Sequence, residues 1–200
     1  MSKIFYAYGV KSDACIVVIE MLKLSGKLFN TIIYSLRTGG QIGVGLRPVI
    51  NPNNLKVEGW FATSIYESGT LVLPISEIRE LSRGGIAVND HEALTAAAEL
   101  VRLQPLVNLD YQLLGKPVAT ESKQKLGKVE DFALNIDSFF IEKLYVVPGG
   151  LKILSSKRLQ VSRKQIIEIT DKKIIVQDIE ATVPSFFRAT VPAPEGSVPA

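Results

Sequence analysis

The chain repeats itself. Displacing its first half by 84 positions sets Ile42 on Leu126, Gly43 on Gly127, Asn51 on Asn135, Val57 on Ile141, Glu58 on Glu142 and Phe61 on Tyr145 without a gap. One more residue of displacement, before that stretch, aligns Leu28 with Leu113 and Ile33 with Val118. After it the displacement grows to 88 and aligns Leu73 with Val161, Ile78 with Ile166, Ile86 with Ile174, Val88 with Val176 and Asp90 with Asp178. The added residues of the second copy fall beside Pro148-Gly149-Gly150, which reads as a turn. A period this long describes a duplicated domain, not a solenoid. The 200 residues are therefore expected to form two small modules.

Each copy reads as short strands rich in β-branched and aromatic residues, separated by turn signals. In the second copy the strands are expected over Pro117–Ala119, Lys128–Leu134, Ile141–Val147, Ile166–Ile169 and Lys173–Val176, with a hairpin turn at Ser122–Gly127. A small barrel closes its own edges and so avoids edge-to-edge association. Between the copies, Leu94, Ala97, Ala98 and Val101 recur at helical spacing; Asn89 with Glu92 resembles a capping box, and Pro105 ends or kinks the run. This helix is expected to pack on the first barrel. The expected architecture is mainly β: two tandem small β-barrels joined by a short helical linker, with a disordered C-terminal tail. Its boundaries are an N-terminal extension at 1–23, a first barrel at 24–90, the linker at 91–110, a second barrel at 111–180 and a tail rich in Pro, Ala and Val at 181–200.

Composition narrows the chemistry. At 46% hydrophobic and 22% charged residues, the chain has the apolar material for one core or for two small ones. Its net charge of +3 is spread among carboxylates, as in Lys164–Glu168, and is not massed as a nucleic-acid-binding patch. A single cysteine, Cys15, excludes a disulfide framework or a cysteine zinc cluster, and suits a cytoplasmic location. A single histidine, His91, leaves little for metal sites or for nucleophilic machinery, so neither metal nor cofactor is expected. Glu20 and Lys23 interrupt the apolar stretch Ala14–Ile19, and no run reaches the ~18–20 residues of a spanning helix. Met21 offers a second start, close to where the first module begins.

In the second copy, Leu114-Gly115-Lys116-Pro117-Val118 is followed by Lys125-Leu126-Gly127-Lys128-Val129-Glu130-Asp131-Phe132. These segments resemble the opening hairpin of PRC-barrel domains. That family is named for the cytoplasmic domain of the photosynthetic reaction-centre H subunit, and it includes the C-terminal domain of a ribosome-maturation factor. The closing strands, Ile166–Ile169 and Ile174–Val176, are similar to the family's ending. The first copy keeps Ile42-Gly43 but reads Asn30-Thr31-Ile32-Ile33 where the motif gives Gly-Lys-Pro-Val. The resemblance implies a bacterial or archaeal binding and assembly platform, not an enzyme. The chain departs from both named relatives, lacking the membrane helix of one and the N-terminal domain of the other.

Candidate sites follow from these readings. Gly39–Gly45 has neither the order nor the following residues of a phosphate loop and falls in a hairpin. Gly43 and Gly127 are assigned as turn glycines. His91 reads as a surface or capping residue, and the pairs Glu130-Asp131 and Asp90/Glu92 as solvated element ends. Strict alternation puts Trp60 on the face of Lys56 and Glu58, open to a partner; a strand bulge would turn it and its counterpart Leu144 inward, and a core or interdomain tryptophan is the favoured reading. Phe186-Phe187-Arg188 could serve as a short docking peptide. The expected function is a non-catalytic protein-interaction adaptor that uses a surface formed by the two barrels. Trp60, Lys123, Lys125, Lys128 and Lys164 are its candidate contacts. One alternative is a ribosome- or RNA-associated assembly factor, whose binding would weaken steeply with salt. Another is a peripheral subunit held to a membrane complex through a protein partner, without inserting into the membrane itself.

Overall fold

The computed structural model describes residues 21–148, 158–170 and 172–178. Cys15, Gly149-Gly150, the Phe186-Phe187-Arg188 segment and the tail at 181–200 lie outside the described residues.

The chain is mainly β. It opens with β1 (Leu22–Leu24) and continues through β2 (Thr31–Ser35), β3 (Gln41–Asn51), β4 (Lys56–Ser64), β5 (Leu71–Pro74), β6 (Ile78–Leu81), β7 (Ile86–Val88) and β8 (Thr95–Ala96). A helix, α1 (Gln104–Leu109), precedes β9 (Pro117–Thr120), β10 (Lys125–Asn135), β11 (Ile141–Val147), β12 (Leu159–Ser162), β13 (Ile166–Ile169) and β14 (Ile174–Val176). One sheet has the order β6-β7-β2-β3-β4-β5-β8; the other has β12-β11-β10-β9-β14-β13, with β1 added to β10. Read from the same end, both follow one path. In each a single pair is parallel, β2 with β7 and β9 with β14.

Curling follows from chain length. β5 and β6 stand far apart in the order of their sheet, yet only the single 3-10 turn Ile75–Glu77 joins them. The turn Arg163–Gln165 does the same for β12 and β13. So short a link cannot cross a flat sheet, because strands are ~4.8 Å apart and a residue spans at most ~3.5 Å. Each sheet must roll into a partial barrel. The apolar faces merge into one continuous cluster that includes Leu28, Ile33, Trp60 and Ile86 from the first module and Phe132, Leu144, Val161 and Ile174 from the second.

Strand β1 belongs to the second sheet although it precedes the first. Leu22, Lys23 and Leu24 pair with Asn135, Leu134 and Ala133. A boundary between residues 23 and 24 therefore cuts a strand. The crossing is fixed by Asp131, whose Oδ1 accepts from the Ser25 backbone N–H at 3.0 Å and from its hydroxyl at 2.5 Å. Of the Glu130-Asp131 pair, only Glu130 behaves as a solvated strand residue, with an exposed ion pair to Arg158. We expect Asp131→Ala to cost about 1–2 kcal/mol, since it removes hydrogen bonds to a charged acceptor in a half-buried position. Glu130→Ala should stay within about 0.5 kcal/mol. Urea denaturation of both variants checks the contrast.

The linker differs from the helix that its spacing suggests. A 3-10 turn at His91–Ala93 leads into β8, and a second at Ala97–Glu99 precedes α1. Thr95 and Ala96 lie opposite Val72 and Leu71 on the edge of β5, so backbone pairing outcompetes a helix there. Pro105 lies in the first turn of α1, where a missing N–H costs nothing, and opens the helix instead of ending one. Asp90, not Asn89, is the cap: its side chain accepts from the His91 N–H at 2.7 Å. Leu100, Leu103, Leu106 and Val107 cover Val49, Phe61 and Val72 on the outer face of the first sheet, so the linker does pack on the first module.

Candidate functional site

The two modules meet at a contact in which each gives what it receives. Lys56 and Phe140 oppose one another in an antiparallel bridge. The Val57 N–H donates to the Phe139 carbonyl at 2.8 Å, and the Ile141 N–H donates to the Leu55 carbonyl at 2.9 Å. In the sequence alignment Leu55 corresponds to Phe139, Lys56 to Phe140 and Val57 to Ile141, so this contact is isologous, like that of a two-fold dimer. Leu55 and Phe139 share a left-handed backbone, with φ of 58° and 57°. The pattern is thus set locally and identically in both halves.

Trp60 lies beneath this bridge. Val49 pairs with Gly59 and Ile50 with Val57, leaving Glu58 as an extra residue that bulges β4. The same shift passes over Glu142 in β11. The bulges rotate the following residues inward, and both Trp60 and Leu144 are 0% exposed. The Trp60 indole N–H donates to the Leu28 carbonyl at 3.0 Å, and its ring meets Phe139 edge-on with centroids 6.2 Å apart. Trp60 is therefore no surface contact, which corrects its place among the interaction residues; it is an interdomain core residue.

Above the bridge lies a groove of about 340 Å³ with walls from both modules. Asn53 and Asn54 contribute from the first, and Arg163, Lys164, Ile167 and Glu168 from the second. The Arg163 guanidinium sits 4.2 Å from the Phe140 ring centroid and donates to the Asn54 carbonyl at 3.4 Å. Its Nε is 3.9 Å from a Glu142 carboxylate oxygen. Ile167 is exposed at the same groove. These are recognition groups: a planar cation on an aromatic face, side-chain amides and an apolar patch.

Among the sequence-predicted lysines only Lys164 reaches this groove. Lys123, Lys125 and Lys128 are exposed on the β9–β10 hairpin and do not line it. That hairpin is tied to the end of β14 by Ser122, whose hydroxyl donates to Asp178 at 2.8 Å; this bond is the main cause of a lowered Asp178 pKa, and Thr120 adds to it. The counterpart Asp90 does the equivalent work in the first module by pairing with Arg37. His91 remains at the surface, its Nδ1 3.0 Å from Asp90 and its ring 5.2 Å from Tyr66. Among the described residues no group of three or more His, Cys, Asp or Glu side chains is placed to hold a metal ion. Arg163, Asn54 and Phe140 escaped the sequence reading. A signal existed in Phe139-Phe140, because adjacent aromatics at a strand start face opposite ways and one must leave the core.

Gly43 lies within β3 and Gly127 within β10, so neither is the turn glycine expected; both act through close approach. A Cβ on Gly43 would lie 2.1 Å from the Thr63 carbonyl oxygen, and one on Gly127 would lie 2.0 Å from that of Val147. Gly127 also has φ of 145°.

Two curled half-barrel sheets, a shared core and a two-walled groove define a mainly β protein with a composite surface. Residues 107–183 match the family model of the PRC-barrel domain, so the second module of the chain is a PRC-barrel domain. No curated protein matches the chain. Among the described residues no helix is long and apolar enough to cross a membrane.

Proposed function

We propose that the chain is a non-catalytic protein-interaction adaptor that receives its partner in the groove between two tandem copies of one module. The observation that supports this most directly is Arg163 laid on Phe140 at the mouth of that groove. Arginine and aromatic residues are the usual anchors of interfaces, and binding sites favour domain junctions. The groove offers two cations, one carboxylate, amides and an apolar patch, which suits a partner presenting a carboxylate beside an apolar side chain. The PRC-barrel domain is consistent with an interaction module. The three exposed lysines of the β9–β10 hairpin favour a second reading, association with a ribosome or RNA through phosphate contacts.

The test is capture of the tagged chain from native lysate at low and moderate salt. It compares Arg163→Glu/Lys164→Glu with Lys123→Glu/Lys125→Glu/Lys128→Glu, with circular dichroism confirming that both variants fold. The groove variant is expected to reduce recovery of a salt-resistant protein partner at least tenfold, about 1.4 kcal/mol, while the hairpin variant keeps it. Unchanged recovery in the groove variant overturns the adaptor reading. Ribosomal proteins that are lost with salt and with the hairpin variant establish the second reading in its place.

A further inference from the structure

We infer that a cleft between β1 and the first module, remote in role from the groove, binds a small soluble organic anion with an apolar body. The cleft lies between the segment that carries β1 toward the second sheet and the turn joining β6 to β7, and measures about 610 Å³. Its volume is that of ordinary small-molecule sites.

Charge decides the class of ligand. Lys23, Lys27 and Arg83 line the cleft, and no carboxylate does. Arg37, Arg47, Arg158 and Arg163 are each paired with an acidic side chain, whereas Lys27 and Arg83 have no ion pair among the described residues. Lys23 donates through Nζ to the Ser82 carbonyl, next to Arg83 in the chain. Burial, followed by repulsion from Arg83, lowers the Lys23 pKa; Glu80 acts in the opposite sense and does not cancel them. The cluster therefore gathers three cations with Glu80, outside the lining, as the carboxylate that acts on Lys23, and a bound anion would add counter-charge inside the cleft.

The rest of the cleft is suited to an apolar body. Leu24 is 46% exposed and Ile32 36% exposed along its wall, with Phe29 half-buried between them in sequence. The turn that carries Arg83 is fixed in place. The Ser82 N–H donates to the Gly85 carbonyl at 3.0 Å, and Gly85, with φ of 149°, packs so closely on β2 that a Cβ would lie 2.4 Å from the Ile32 carbonyl oxygen. Arg83 is thereby held on a rigid turn beside the strand instead of at a free loop tip. A carboxylate, sulfonate or phosphate head would meet the three cations while its apolar part covers Leu24, Phe29 and Ile32.

Anilinonaphthalene sulfonate is a suitable probe, titrated into the full chain and read by fluorescence. We expect saturable binding that Lys27→Ala/Arg83→Ala weakens at least tenfold, while Lys125→Ala/Lys128→Ala, with the same loss of net charge, leaves it within twofold. Octanoate should displace the dye, and octanol at equal concentration should not. Absence of saturable binding, equal weakening by both double variants, or displacement by octanol as effective as by octanoate each overturns the assignment. Circular dichroism of the variants separates a lost site from a lost fold, and both pairs are exposed enough for the fold to survive.

Discussion

Replacing Trp60 with alanine is expected to lower the free energy of unfolding by about 3–5 kcal/mol, the range for truncating a large buried aromatic. The indole is fully buried, touches the second module through Phe139 and satisfies the Leu28 carbonyl. Alanine leaves a cavity on the seam between modules and an acceptor without its donor. Because the apolar cluster is continuous, both halves should lose stability together, in one transition by circular dichroism and by tyrosine fluorescence. Trp60→Phe keeps most of the apolar volume and loses the N–H, so a smaller cost of about 1–3 kcal/mol is expected. A loss below about 1 kcal/mol in the alanine variant, or two separated transitions, contradicts the shared-core description.

Gly127→Ala carries the second large effect, about 3 kcal/mol or more, from strain at a left-handed position joined to a backbone collision. All three atoms nearest the hypothetical Cβ are backbone: the Val147 oxygen at 2.0 Å, its carbon at 2.6 Å and the Pro148 Cα at 2.9 Å. No side chain can rotate away, so β10 and β11 must separate at their ends. Gly43→Ala meets the Thr63 oxygen at 2.1 Å without the left-handed φ, and should cost less. Gly26→Ala, with nothing within 4 Å, should be nearly neutral. The order of urea midpoints, Gly26→Ala above Gly43→Ala above Gly127→Ala, is the check.

What could be read from the sequence was what the sequence repeats. Strands β9, β10, β11, β13 and β14 lie close to their expected positions, because β-branched runs mark them locally. The bulges at Glu58 and Glu142 were legible as one event seen twice, and they decided the direction of Trp60. The linker was misleading, since four apolar residues at helical spacing say nothing about the free edge of β5 nearby. The pairing of β1 with β10 is three residues long and joins segments far apart in the sequence, so no local pattern announces it. Arg163 reaches the Asn54 carbonyl only because the two modules are docked, and Asp131 looks solvated until Ser25 arrives from a distant part of the chain.

The bridge at Lys56 and Phe140 has the geometry of a dimer axis, but one polypeptide occupies both sides of it. A true dimer would be obliged to display every recognition feature twice. Here Arg163 answers to Ile75 across the axis, Lys164 to Ser76 and Asp131 to Arg47. The backbone is close to symmetric while its two faces have become chemically unlike. A partner that reads one face would find no equivalent on the other, so the molecule has a heading, and the proposed adaptor would engage one copy of its partner in a single orientation.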